Sequence, residues 1–89
     1  MPEITITLQN KTGLHARPAG AFVRVAKQFR CEIKAVHQGK EANAKSILSV
    51  LSLGAEQGAM IGLKAEGDDA DQALRAMTDL INNKFGEKD

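Results

Sequence analysis

The chain has 89 residues, which is enough for one small domain spanning residues 1–89, with a modest core and thin stability. A net charge of +1 gives no global field to draw nucleic acid or a membrane, and no Trp, no Tyr and only three Phe leave little for base stacking. The single cysteine, Cys31, excludes an internal disulfide and a multi-cysteine zinc cluster, so no metal and no cofactor is expected.

With neither a signal peptide nor an apolar run of about 18 residues, the chain reads as cytoplasmic. Glu3 to Gln9 alternates Ile4, Ile6 and Leu8 with polar residues, which predicts a half-buried strand. Residues 16–29 switch to a helical period, with Ala19, Phe22, Val23, Ala26 and Phe29 on one apolar stripe. Glu32 to Gln38 alternates again, with Ile33 and Ala35 inward, and Cys31 is expected in a strand as a packed, inert thiol. Gln38-Gly39 then turns into a short strand, Lys40 to Asn43. Ser46 to Leu53 reads as a short helix, capped by Ser46 and closed by Gly54.

Ala59 to Glu66 sets Ala59, Ile61, Leu63 and Ala65 against Met60, Gly62, Lys64 and Glu66, a fourth strand. The last helix starts at Asp69, with Gln72 as a capping-box partner and a stripe of Ala73, Leu74, Met77, Leu80 and Ile81. Gly86 to Asp89 reads as a frayed tail. The order β-α-β-β-α-β-α makes a sheet with helices on one side. Pattern alone does not separate a ferredoxin-like split βαβ from another α/β sandwich of this order.

The stretch "KTGLHARPAGAF", Lys11 to Phe22, holds one of the two histidines. Gly13 permits a tight turn after the strand. His15 falls at the N-cap of the helix, and Pro18 suits the first turn, where its missing N–H costs nothing. The free amides of that turn, from Ala16 and Arg17, and the positive end of the helix dipole favour an anion. Arg17 adds a planar donor fork shaped for phosphate oxygens. An imidazole nucleophile beside an anion cradle suits a phosphohistidine. A histidine at a helix start is ordinarily a solvated side chain; the company of Gly13, Arg17 and Pro18 sets His15 apart. His37, before the turn, has no such company and reads as a surface or pairing residue.

"GLHARPA", Gly13 to Ala19, resembles the active-site motif of the histidine-containing phosphocarrier (HPr) family of the bacterial phosphoenolpyruvate-dependent sugar phosphotransferase system. "KSILSVLSLGAEQG", Lys45 to Gly58, is similar to that family's second helix and regulatory serine. The resemblance spans the chain in length and element order. It implies an α+β open-faced β-sandwich, a four-stranded antiparallel sheet covered on one face by three helices. It implies that His15 accepts phosphate on Nδ1 from phospho-enzyme I and passes it to enzyme II A domains, with Arg17 assisting. It also implies a stoichiometric monomeric carrier, not an enzyme, with a dedicated kinase for Ser46 and a transcriptional regulator as further partners. One common variant of the motif has threonine where this chain has Ala16; the backbone N–H remains.

Five of the eight residues from Ser46 to Leu53 are large and apolar, more than a two-turn helix buries, so Ile47 and Leu48 are expected to stay exposed. With Leu51 and the basic residues Arg17, Arg24 and Lys27 they read as a docking face for acidic partners. A phosphate on Ser46 would suit the helix N-terminus yet place a dianion beside Ile47 and Leu48. The alternatives are a regulatory nitrogen-branch phosphocarrier, a binding module without phosphotransfer, and a ferredoxin-like RNA-binding domain. His15 speaks against the second, and the scarcity of aromatic residues against the third.

Overall fold

Four antiparallel strands carry the fold: β1 (Glu3–Thr7), β2 (Glu32–His37), β3 (Lys40–Asn43) and β4 (Met60–Glu66), in the order β1-β4-β2-β3. They belong to a computed structural model that describes residues 3–86. Three helices, α1 (Ala16–Ala26), α2 (Ile47–Leu51) and α3 (Ala70–Asn82), cover one face, and a 3-10 turn follows at Lys84–Gly86. The result is the open-faced β-sandwich, with β4 and β2 in the middle of the sheet. The tail beyond Gly86 lies outside the described residues. Among them, no helix is long and apolar enough to cross a membrane.

Register follows from alternation, because slipping by one residue would turn every apolar side chain to solvent. Ala35 sits opposite both Leu63 of β4 and Ala42 of β3, and Ile6 opposite Ile61. The central strands bury Ile33, Ala35, Ile61, Leu63 and Ala65 almost completely. The edge strand β1 leaves Ile4 and Ile6 half-buried. From the helical layer Phe22, Val50, Met77 and Ile81 complete the core. Met60, Lys64 and Glu66 point to the open face, as the alternation predicts.

Several boundaries differ from the sequence expectation. β1 ends at Thr7, although Leu8 still exchanges backbone hydrogen bonds with Ala59 and Gly58. α1 ends at Ala26 instead of Phe29. The amides of Gln28 and Phe29 tighten to the carbonyls of Val25 and Ala26, and Lys45 Nζ donates to the Phe29 carbonyl at 2.7 Å. A cation thus satisfies a carbonyl just past a helix C-terminus, where the dipole favours it. Cys31 is buried just before β2, not within it. The capping box at Asp69 does not form. Its carboxylate accepts from the amides of Arg30 and Cys31, both at 2.9 Å, and so is not free to cap its own helix. Burial pushes the Cys31 thiol up from its ordinary value, and the neighbouring Asp69 carboxylate adds to that.

Candidate functional site

The turn from β1 into α1 is built on Asn10 and Gly13. Asn10 is fully buried, and its side-chain amide donates to the Gly13 carbonyl at 2.8 Å and to Thr12 Oγ1 at 3.3 Å. Gly13 takes φ +62°, and a Cβ there would lie 2.5 Å from Glu56 Cα and 2.6 Å from the Ala55 carbonyl oxygen. Only glycine fits, for both conformation and space. The Leu14 amide then donates to the Ala55 carbonyl at 2.9 Å, and the Leu14 side chain is buried. The loop carrying His15 is therefore clamped by backbone contacts to the loop between α2 and β4.

His15 is the N-cap of α1, with φ −82° and ψ −173°, and its carbonyl accepts from the Ala19 amide at 2.8 Å. Its exposed imidazole makes no capping bond and is free for chemistry. In the first turn Ala16 and Arg17 present amides without an intrahelical partner, and Pro18 has none to present. No acidic side chain stands in that turn itself. Arg17 is exposed at the second position of the helix.

Beside His15 lies a shallow hollow. Leu14, His15 and Ala16 form one wall; Leu51, Ala55 and Glu56 form the other. Leu51, half-buried, is thereby brought to the histidine from 36 positions away in sequence. Ser46 caps α2, its Oγ accepting from the Ser49 amide at 3.4 Å. Ile47 and Leu48 are 43% and 77% exposed, as expected from the excess of apolar residues on so short a helix. Ile47 lies against α1 at Gly20, where a Cβ would sit 4.0 Å from its Cδ1. Arg24 and Lys27 are exposed but stand toward the far end of α1, Arg24 about 10 Å along the axis from Arg17. The basic face therefore runs the length of the helix and does not cluster around His15.

Residues 2–83 match the family model described as the phosphorylation site of the HPr component of the phosphotransferase system. The chain belongs to the HPr family. HPr proteins are phosphocarriers of the phosphotransferase system, and this chain shares that role. It is 42% identical over 88 residues to the phosphocarrier protein HPr of Pseudomonas aeruginosa, covering 98% of each. Among solved structures it is similar to HPr-C-His from Thermoanaerobacter tengcongensis, with 51% identity, TM-score 0.96 and 99% of both chains covered. It is also similar to a structure of an HPr dimer from that organism, with 52% identity, TM-score 0.79, and 98% and 100% coverage.

The motif pointed to His15, Ala16 and Arg17 directly. Asn10, Ala55 and Glu56 escaped the sequence reading, because their part depends on which loop the turn at Gly13 packs against. The one available signal was Asn10 itself, an amide three residues before a glycine in a turn.

Proposed function

We propose that the chain takes a phosphoryl group from phosphorylated enzyme I onto His15 and hands it to the A domains of sugar-specific enzymes II. It does so as one domain of residues 1–89, a monomer in the cytoplasm. The observation that carries this reading is His15 itself: an exposed N-cap whose imidazole is not spent on capping, over the unpartnered amides of Ala16 and Arg17. The Nδ1 lone pair attacks phosphorus as the donor's bond to phosphorus breaks. The amides and the Arg17 guanidinium then hold the phosphoryl oxygens. With no second catalytic group beside it, His15 is loaded by one partner and emptied by another.

Docking uses Arg17, Arg24 and Lys27 on α1 with Ile47, Leu48 and Leu51 on α2, a cationic and apolar face suited to acidic partners. Ser46, next to that face, is the regulatory phosphorylation site of a serine kinase, and a transcriptional regulator is a further partner. Incubation with enzyme I, phosphoenolpyruvate and Mg²⁺ should add one acid-labile, base-stable phosphate by intact mass. His15→Ala should add none, whereas His37→Ala should load normally. Loading of His15→Ala would overturn the assignment.

A further inference from the structure

The chain is nearly neutral overall, but its charges are segregated. Residues 4–31 and 42–55, which supply α1, α2 and the His15 loop, contain six of the twelve Lys and Arg and none of the eleven Asp and Glu. The first acid after them is Glu56. It lines the hollow beside His15 and is exposed. Among the described residues no ion pair neutralises it; Lys34 and Lys64 pair with Glu41 instead. Its backbone is held against the His15 loop by the Leu14–Ala55 hydrogen bond and the packing of Gly13 on Glu56 Cα. One uncompensated carboxylate thus stands at the place where a phosphate cradle should least contain one.

We propose that Glu56 raises the phosphoryl-transfer potential of His15 by repelling the phosphorylated state. The inference rests on the carrier reading above. In loading, the donor's bond to phosphorus breaks and the donor keeps the electron pair. The Nδ1 lone pair of His15 forms the N–P bond, and the Nε2 proton equilibrates with water. Neither side is oxidised or reduced. The change at the site is the arrival of about two negative charges. The carboxylate leaves the neutral imidazole untouched but repels that dianion. Arg17 and the helix amides hold the group, and Glu56 limits how tightly, so the phosphate leaves readily for the next acceptor. A carrier that only held its cargo well would be a trap.

The test reads an equilibrium, so that slower or faster docking of a charge variant does not enter. Enzyme I in catalytic amount is mixed with phosphoenolpyruvate and pyruvate at a ratio that leaves the unmodified protein half-loaded, and occupancy is measured by intact mass. Glu56→Gln should raise the ratio of loaded to unloaded protein about two- to fivefold at low ionic strength. The gain should shrink toward unity near 0.5 M salt, since an exposed pair is screened over a few ångströms there. Glu41→Gln makes the same charge change on the open face of the sheet and should leave the ratio alone. Melting temperature should not move in Glu56→Gln, which separates a charge effect from a disturbed loop. If Glu56→Gln partitions as the unmodified protein does at low salt, or if Glu41→Gln gives the same gain, this inference falls while the carrier reading stands. If the unmodified protein takes no phosphate, both fall.

Discussion

Arg17 and Gly13 flank the same histidine by different means, and their substitutions should fail differently. Arg17 is exposed on the second residue of α1, so Arg17→Ala should cost less than about 1 kcal/mol of stability, as surface changes do. Transfer should fall at least about tenfold, because a charged donor to phosphate is worth about 1.5–3 kcal/mol. Urea denaturation and phosphotransfer rates on one preparation check both. Equal losses would place Arg17 in the fold and not in the chemistry. Gly13→Ala should do the reverse. A methyl 2.5 Å from the Glu56 backbone, at φ +62°, should cost more than about 2 kcal/mol and spoil transfer only by displacing the loop. A Gly13→Ala protein as stable as the parent would mean that the two loops are not clamped. The need for a turn was legible at Gly13. The need for the absence of a side chain was not, since the contact comes from residues more than forty positions away.

Helix α2 is the element whose sequence says most about its surroundings. Five residues, Ile47 to Leu51, cannot bury all the apolar side chains they and their neighbours carry, and Val50 alone within the helix is buried. The cap at Ser46 and the exposure of Ile47 and Leu48 could both be read in advance. The early ends of α1 and α2 could not, because tight turns and the Lys45–Phe29 hydrogen bond decide them. Ser46→Asp should leave the melting temperature nearly unchanged, since Asp caps as well as Ser. It should weaken docking of enzyme I, with the loss shrinking as salt rises. Ile47→Ala should weaken the same encounter with no such salt dependence, its loss being apolar contact. Titration of enzyme I at low and high ionic strength separates the two. Tight binding of Ser46→Asp at low salt would remove α2 from the docking face.

Across the whole molecule, the element order and the buried faces of β1, β2, β4 and the two long helices followed from periodicity, but the buried face of β3 and the strand order β1-β4-β2-β3 did not. Asp69 shows what that hides. With Gln72 three residues later it looks like a capping box, yet the topology brings the amides of Arg30 and Cys31 to its carboxylate from across the fold. Asp69 is therefore a latch between the start of α3 and the start of β2, not a cap. Hydrogen bonding from the Arg30 amide holds its carboxyl below its ordinary value, against partial burial, which pushes it up, and with further help from the thiol and amide of Cys31. A folded-state value below the unfolded one means that the ionised latch stabilises the protein above the unfolded value of about 3.9. That contribution is lost as pH falls from there through the folded value. Stability of the parent should thus be flat in this respect from pH 7 to about 5 and then decline. Asp69→Asn keeps the shape but presents an NH₂ to one of the two amides. It should be less stable at pH 7 and should decline less in acid, so that the two curves converge as the pH falls through the folded-state value of Asp69. Urea denaturation followed by far-UV circular dichroism at stepped pH gives both curves. Parallel curves would show that Asp69 carries no proton-linked share of stability, and that the latch is held by packing around it and not by its charge.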